Sequence, residues 1–355
     1  LTVGLITSLY TGASGIFTSQ TAIQVTGNNI ANAGVTGYSR QVANVNSATP
    51  LTQGSLTYGT GSSVDSIDRA SDGFIVKQLV AQSASYGEYD ASSTPLTDIE
   101  QILDISDSSI SSDIDSFFDA WDELSTNPSG TAERQQVIQE ADDLASHFQQ
   151  INQQLTDVVD SVNTSVESIV PDLNDQLSQI ANLNQSIMQT EQSGGDANTL
   201  RDERDLLVQQ VSETCGATTY ADDKGMVCLQ LQNGLPLVTG NVASSFVTTK
   251  VDGLTQVSLS CGRASYSLNS EDFGGELKGL LNVRDVVIPE FQSDIDRLAY
   301  TIATDVNNLI TTSGGIDQNG DAAADLFTLV APADPLANAW HGAAASITVA
   351  FADPA

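Results

Sequence analysis

Residues 148–187 read FQQINQQLTDVVDSVNTSVESIVPDLNDQLSQIANLNQSI. In this stretch, apolar side chains recur at intervals of three or four residues, without a break from the first phenylalanine to Ile180. One helix face is therefore apolar over more than 30 residues, which is typical of a long helical bundle. Pro171 predicts a kink or a division of this helix near Glu167–Val170, because proline disrupts a helix interior. We predict helix over most of residues 131–190.

The chain after this helix predicts a β-rich segment and then a return to helix. After Gly216 the apolar period changes to two, and residues 218–221 and 226–231 flank a turn-forming Asp222–Gly225, as in a β-hairpin. A seven-residue repeat, typical of coiled coils, follows in two registers. Its members are Ile288, Ile295, Ile302 and Leu309 in one register and Phe291 and Leu298 in the other.

Residues on the N-terminal side of the long helix predict further helices and short strands. Residues 42–68 are rich in Ser, Thr, Gly and Val, and we expect strands and loops there. A helix should begin near Asp68 or Ser71, and Thr94-Pro95 predicts a break or a kink in it. The fold class is thus mainly α with a β-rich insertion, in an elongated multi-domain protein.

The first 64 residues carry one formal charge, Arg40, in a chain whose net charge is −33. A solvated surface usually has about a quarter charged residues, so a neutral helix here is built to be packed by neighbours. The alternative is a signal-like or flexible N-terminus. A seven-residue apolar repeat favours the assembly seam, which consists of Leu9, Ile16, Ile23 and Ile30.

Composition excludes several classes of protein. Twelve carboxylates and no cation lie between Lys77 and Arg134, and such a surface repels nucleic acid and anionic membranes. The sequence has no run of 18 apolar residues, so we expect no membrane span. No Lys or Arg precedes an apolar core at the N-terminus, which argues against a cleaved secretory signal peptide.

The sequence carries no convincing catalytic, cofactor or metal constellation. Asp317, Asn319, Asp321 and Asp325 resemble a calcium loop, but Ala322 and Thr328 stand where that loop needs Gly and Glu. The three cysteines predict small buried residues, with a Cys228–Cys261 bridge as the alternative. We therefore predict that the protein is not an enzyme and binds no cofactor or metal.

One motif near the N-terminus consists of Asn28, Asn29, Ile30, Ala31, Asn32, Gly37, Tyr38, Ser39, Arg40 and Gln41. It resembles the N-terminal motif of bacterial flagellar axial proteins, and its ending is similar to the hook-associated proteins of the FlgK type, which join hook and filament. A second resemblance lies in a helix of the body, at Asp202, Arg204, Asp205 and Leu207. The resemblance covers nearly all of the 355 residues, in family order.

The resemblance implies a structural adaptor that joins hook to filament through helical packing of its terminal segments. Its implied partners are the hook protein, a second hook–filament junction protein and further copies of itself, and an export chaperone fits the same scheme. Neither nucleic acid nor membrane is an implied partner. The implied location is the extracellular flagellum, reached through the flagellar type III system without a cleaved signal peptide.

We predict five segments, in chain order. These are an N-terminal coiled-coil, export and axial-core segment at 1–67, a helical body at 68–214 and 274–314, a β-rich insertion at 215–273, and the start of an outer β-rich domain at 315–355. The C-terminal helical region of the family is expected to be missing. The alternatives are a hook or distal-rod subunit, or a secreted coiled-coil adhesin or effector.

Overall fold

The structure, a computed structural model, describes residues 2–53, 55–103, 109–222, 226–314, 323–332 and 337–350. The chain forms two compact units, and each contains segments that are distant in sequence. Unit 1 comprises Leu1–Tyr89, Ser168–Val251 and Thr255–Lys278. Unit 2 comprises Asp90–Glu167, Asp252–Leu254 and Gly279–Ala355.

Unit 1 begins with helix α1 (Thr2–Ala31), which packs on an antiparallel pair of strands, β1 (Gln41–Ser47) and β4 (Ser62–Arg69). Between these strands lies the hairpin of β2 (Leu51–Gln53) and β3 (Leu56–Tyr58). The strands predicted for residues 42–68 are therefore confirmed.

Helix α2 (Gly73–Ile102) continues through Pro95, so the helix does not break there. Proline in a helix interior costs roughly 3 kcal/mol, because one hydrogen bond is lost and its ring clashes with the preceding turn. Pro95 and Ile99 are both buried on the packed side of this helix, and that packing offsets the loss.

Helix α4 (Thr131–Gln192) confirms the long helix predicted from the apolar stripe. It also continues through Pro171, so the helix is not divided there. Apolar side chains before and after the proline hold both turns in place. Those fully or nearly fully buried are Phe148, Ile151, Leu155, Val162, Val166, Val170, Leu173, Leu177 and Ile180.

Two asparagines of α4 attach the β-rich part of unit 1 to the helix. The Asn174 side chain accepts from the Phe246 amide at 2.7 Å and donates to the Phe246 carbonyl at 2.9 Å. Asn184 Nδ2 donates to the carbonyls of Val227 and Gly240, both at 2.8 Å. These contacts satisfy backbone groups that would otherwise lose water on burial.

The β-rich part follows helix α5 (Asn198–Cys215) and confirms the predicted insertion and its hairpin. One sheet has four antiparallel strands in the order β5-β6-β7-β8, and the other has three strands in the order β11-β10-β9. The strands are β5 Thr218–Ala221, β6 Val227–Gln230, β7 Pro236–Thr239, β8 Val242–Ala243, β9 Ser245–Val251, β10 Leu254–Cys261 and β11 Ala264–Leu268. The turn residues 223–225 lie outside the described part of the chain.

Unit 2 is a helical core completed by a short β pair. After β11 come a 3₁₀ turn at Ser270–Asp272 and helix α6 (Gly275–Asn282), which ends in unit 2. The remaining elements are helix α3 Ile110–Thr126, a π-helical turn Val283–Val287, helix α7 Ile288–Thr312, strand β12 Phe327–Thr328, helix α8 Ala343–Ser346 and strand β13 Thr348–Val349. One apolar cluster joins Phe117 of α3, Phe148 of α4 and Ala303 of α7.

The two heptad registers predicted for α7 are only partly buried. Ile288 is buried, but Phe291 and Leu298 are each 37% exposed. The buried positions instead include Asp296, Ala299 and Ala303. The small alanine side chains permit close packing against neighbouring helices. The π-helical turn directly before α7 rotates α7 about its own axis, so other residues face the core.

The last described segments pack into the helical core of unit 2. Leu326, Phe327 and Ile347 are buried in the same cluster as Phe117. The assignment of residues 315–355 to the start of an outer domain stays a prediction, because contact with the core of unit 2 does not define where a domain begins. The residues 315–322 lie outside the described part, and so does most of the calcium-like loop.

The predicted fold class is confirmed, since long helices dominate and the sheets are small. The helical body predicted for residues 68–214 and 274–314 is divided between the two units. The five-segment division therefore stays a prediction about function and not a description of the compact units.

Candidate assembly interface

Helix α1 places its polar side chains against its own unit. The Ser62 amide donates to Ser14 Oγ at 3.2 Å, and Thr18 Oγ1 donates to the Ser62 carbonyl at 3.3 Å. Val25 is the buried large apolar residue of this helix among its described side chains. Hydrogen bonds therefore supply much of the attachment between α1 and strands β1 and β4.

The opposite side of α1 is apolar and exposed. The assembly seam of Leu9, Ile16, Ile23 and Ile30 is exposed by 74%, 69%, 72% and 73%. Gly12 and Gly15 lie beside the seam, and a Cβ atom at either would meet nothing within 4 Å. An ordinary surface helix buries its apolar side, whereas α1 exposes it. A contiguous exposed apolar strip of this kind marks an interaction surface.

The Asn29 side chain organises the turn that follows α1. Its Nδ2 donates to the Gln41 carbonyl, and its Oδ1 accepts from the Gln41 amide and from the Tyr38 hydroxyl, each at 2.8 Å. An asparagine side chain offers both an acceptor and donors. Asn29 therefore pairs with the amide and carbonyl of Gln41 as the backbone of a neighbouring β-strand would. Three members of the predicted motif therefore form one hydrogen-bonded unit.

This turn contacts the second predicted motif, on helix α5. The Ser39 amide donates to Asp202 Oδ2 at 3.1 Å. Arg69, the last residue of β4, donates to Asp202 Oδ1 at 2.7 Å and to Asp205 Oδ2 at 2.9 Å. The two motifs, which are about 160 residues apart in sequence, thus meet in unit 1.

The charges in this network have distinct environments. Burial opposes the charge of Arg69, but hydrogen bonds and the charges of Asp202 and Asp205 prevail and raise the pKa of Arg69. Burial lowers the pKa of Arg204, against the opposing effect of Asp205. Asp205 Oδ1 accepts from Arg204 at 3.1 Å, so this carboxylate serves two arginines. Paired charges of this kind are costly to separate once buried.

Other predicted motif residues have less direct roles. The Asn32 side chain donates to the Asn28 carbonyl at 3.0 Å on the exposed side of the helix end, where Ala31 is the last helical residue. The Arg40 side chain is exposed, and its carbonyl accepts from the Ala70 amide at 2.7 Å. Gly37 has a φ of 81°, and a Cβ atom there would lie 3.2 Å from Leu206, which is the neighbour of the predicted Leu207.

Sequence reasoning missed three residues that connect β4 to the helices. Arg69 was not predicted to pair with the Asp202 motif. Asp196 Oδ2 accepts from the Ile67 amide at 3.1 Å, and the Asn198 side chain donates to the Ile67 carbonyl. Arg69 is the first cation after Arg40, which was an available signal, whereas nothing in the local sequence distinguishes Asp196 and Asn198.

Metal binding, disulfide bonding and membrane crossing can be judged on the described residues. Among them, no cluster of three or more His, Cys, Asp or Glu side chains could hold a metal ion. The cysteines are free thiols, with Cys215 and Cys228 buried, so the alternative Cys228–Cys261 bridge is wrong. No helix within the described ranges combines the length and hydropathy that crossing a membrane would require.

A neutral N-terminal helix with an exposed seam, followed by a hairpin and a helical body, is what the resemblance to flagellar axial proteins implies for this chain. In agreement, residues 9–38 match the family described as flagella basal body rod protein. Residues 96–327 match the family described as flagellar hook-associated protein FlgK helical domain. The chain belongs to the FlgK family of flagellar hook-associated proteins, as the motifs predicted.

Individual relatives agree with this family. Flagellar hook-associated protein 1 of Escherichia coli (strain K12) is 30% identical over 327 residues, covering 90% of this chain and 59% of the relative. The protein of the same name from Bacillus subtilis (strain 168) is 28% identical over 355 residues, covering 90% of this chain and 69% of the relative. The chain thus spans about three fifths of the length of the first of these relatives.

A solved structure has the same fold. It is the flagellar hook junction protein FlgK from Burkholderia pseudomallei, with a TM-score of 0.64 and 27% sequence identity. The similarity covers 72% of this chain and 47% of that chain.

Proposed function

We propose that this protein is a structural adaptor of the bacterial flagellum, which joins the hook to the filament. Its partners are the hook protein on one side, a second hook–filament junction protein on the other, and neighbouring copies of itself. Membership of the FlgK family and the name of the Burkholderia relative, a hook junction protein, support this proposal. The observation that carries it is the exposed apolar seam of α1.

The mechanism is packing. Burial of an Ile or Leu side chain contributes about 1.5–3 kcal/mol, so covering the four seam residues contributes roughly 6–12 kcal/mol before ordering costs. The seam lacks charged flanks, and α1 has no acidic first turn and no basic last turn. A helix of this kind gains its stability from neighbours rather than from water.

The hydrogen bonds that Ser39 and Arg69 donate to Asp202 hold α1, and with it the seam, at a fixed position within unit 1. They join the end of α1, through the Asn29 turn, to helix α5 of the same unit. Packing of the seam against neighbouring subunits would therefore position the body of the protein as well. An adaptor between two different partners needs this coupling, because both contacts must hold at a defined geometry.

Proteins of this family are structural components of the flagellum outside the cell, which favours a non-enzymatic role. Export through the flagellar type III system, without a cleaved signal peptide and with the aid of a chaperone, is part of the proposal. A neutral α1 that depends on packing is suited to such a route, because it is easily unfolded before assembly.

The test is complementation of a motile bacterium that lacks its own hook-associated protein 1, using the gene that encodes this protein. Ile23→Asp places a charge in the seam, and Gln24→Asp places the same charge one residue later on the exposed flank of the helix. We expect Ile23→Asp to abolish swimming and to release filament protein into the medium. Gln24→Asp should retain most of the swimming.

Two alternatives predict different results. A hook or distal-rod subunit, which the rod-family match at residues 9–38 favours, would complement a strain that lacks the corresponding subunit instead. A secreted coiled-coil adhesin or effector would leave swimming unchanged in every variant. Equal swimming of the Ile23→Asp and Gln24→Asp strains would refute the role of the seam.

A further inference from the structure

An Asn-Gly pair occupies the turn between β6 and β7. Asn233 and Gly234 are both exposed there, and Gly234 has a φ of 85°, with nothing within 4 Å of the place where a Cβ atom would stand. The sequence contains a second such pair, Asn319-Gly320, which lies outside the described part of the chain. Asparagine before glycine is open to deamidation, because no Cβ atom hinders the approach of the following amide nitrogen to the side chain.

The Asn233 side chain attaches this turn to a neighbouring one in unit 1. Its Nδ2 donates to Asp272 Oδ1 at 2.9 Å, and its Oδ1 accepts from the Leu235 amide at 3.0 Å. Asp272 ends the 3₁₀ turn that begins at Ser270, and its Oδ2 accepts from the Asn269 amide at 2.9 Å. Asp272 therefore holds two donors at once, one from its own turn and one from Asn233.

This attachment lies next to a buried aromatic contact. Phe273, which directly follows Asp272, is fully buried, and its ring centroid lies 6.0 Å from that of Phe246. The next residue is equally close to the β6–β7 turn, since a Cβ atom at Gly274 would lie 2.7 Å from Gln232 Nε2. The turn thus packs against the residues that lead into the core of the β-rich part.

Deamidation of this pair needs no co-reactant other than water. The Gly234 nitrogen attacks Asn233 Cγ, so that an N–Cγ bond forms while the Cγ–Nδ2 bond breaks. The Nδ2 group leaves as ammonia with the proton that the Gly234 nitrogen gives up, and a cyclic imide is formed. Water then opens the imide at either carbonyl, which gives aspartate or isoaspartate at position 233. No group is oxidised or reduced.

Either product reverses the sign of the contact with Asp272. A carboxylate has only acceptors, so the hydrogen bond that Nδ2 donated is lost with the ammonia. Two carboxylates then face each other beside Glu271, and the 3₁₀ turn has no basic residue in its last turn to offset them. Like charges repel at this distance, so an attractive contact becomes a repulsive one.

The native turn restrains the reacting groups, because the Gly234 amide donates to the Leu231 carbonyl at 2.9 Å and Asn233 Nδ2 is held by Asp272. The attack therefore takes place when this exposed turn opens locally. We propose that Asn233 is a deamidation site, and that its conversion irreversibly releases the β6–β7 turn from Asp272. The change is one-way because the ammonia is lost. The inference is independent of the adaptor role.

The first test follows this chain at mildly alkaline pH by mass spectrometry of its peptides, with fragmentation to locate each converted residue. Asn241 is the internal comparison, because it lies in the next exposed turn of the same sheet and precedes Val242, whose branched side chain hinders the attack. We expect conversion at Asn233 to be on the order of tenfold faster than at Asn241. Equal rates at the two asparagines would overturn the assignment of the site.

Urea separates the chemistry of the pair from the restraint by the turn. Conversion at Asn233 should be on the order of tenfold faster in urea than in buffer, because the unfolded chain lacks the hydrogen bonds to Asp272 and Leu231. Equal rates in urea and in buffer would refute that restraint.

The second test asks whether conversion releases the turn. Asn233→Asp reproduces one product, and Asn241→Asp adds the same charge to the other turn as the matched control. Asn233→Asp should accelerate hydrogen exchange of the Asn269 amide on the order of tenfold, because Asp272 turns away from the new carboxylate. The double variant Asn233→Asp/Asp272→Asn exchanges donor and acceptor and should restore slow exchange. Equal exchange in Asn233→Asp and Asn241→Asp, or no recovery in the double variant, would overturn the release of the turn.

Discussion

The backbone amide of Ser39 donates a hydrogen bond of 3.1 Å to the carboxylate of Asp202, across 163 positions of the sequence. The same carboxylate accepts from Arg69 at 2.7 Å. One side chain of helix α5 therefore holds both the turn after α1 and the end of β4. This explains physically why the two sequence motifs occur together in one protein.

Asp202→Asn should destabilise the attachment between the turn and helix α5. The substitution keeps an acceptor for the Ser39 amide but removes the charge that faces Arg69, which is then paired with Asp205 alone. We expect a loss of about 2–3 kcal/mol in the protection of the Ser39 amide, measured by hydrogen exchange. Glu203→Gln, on the exposed side of the same helix, is the control and should cost under about 0.5 kcal/mol. Equal protection in both variants would contradict the role of Asp202.

Asn29→Ala should loosen the turn at residues 38–41. It leaves the amide and carbonyl of Gln41 and the hydroxyl of Tyr38 without their partner, a loss of about 1–3 kcal/mol. Exchange of the Gln41 amide should accelerate accordingly. Asn28→Ala removes only the exposed hydrogen bond that Asn32 Nδ2 donates to Asn28 Oδ1, and normal exchange of the Gln41 amide is expected there. A similar acceleration in both variants would mean that fraying of α1 is the cause.

Gly216→Ala should be far more costly than a similar change elsewhere. Gly216 ends α5 with a φ of 70°, and a Cβ atom there would lie 2.3 Å from the Gly274 Cα. Gly234 also has a positive φ, of 85°, but a Cβ atom there meets nothing within 4 Å. Gly234→Ala should cost about 1–2 kcal/mol from backbone strain alone, and Gly216→Ala at least about 3 kcal/mol. Equal urea midpoints for the two variants would refute the close approach.

Cys215 should be chemically inert while unit 1 is folded. Burial raises the pKa of its thiol to about 12, so little thiolate exists at pH 8. Iodoacetamide should modify the partly exposed Cys261 at pH 8 and leave Cys215 unmodified until urea unfolds the protein. Rapid modification of Cys215 in the native protein would show that its surroundings open readily.

The same thiol predicts a dependence of stability on pH. The pKa of Cys215 is higher in the folded than in the unfolded protein, so its contribution to stability is complete below about pH 9. That contribution should be lost as the pH rises from about 9 to about 12, because the unfolded thiol releases its proton first. Cys215→Ala should show a shallower loss of stability over this range, when urea unfolding is measured at each pH.

Several features of this protein were predictable because their causes are local in sequence. The three- and four-residue spacing from Phe148 to Ile180 requires a helix whichever neighbours cover it. The period of two at residues 218–221 and 226–231 likewise predicted the hairpin. The seam of Leu9, Ile16, Ile23 and Ile30 followed from one repeat in an uncharged segment.

The sequence by itself thus determined the helical class, the β-rich insertion, the seam and the family motifs. Tertiary structure alone decided that Ser14 and Thr18 of α1 face inward, that Arg69 joins Asp202, and that Ala299 rather than Leu298 is buried in α7. It also decided the division of the chain into two units. The physical reason is that periodicity reports how side chains are arranged around one helix or strand, whereas burial and ion pairing depend on residues far apart in the chain.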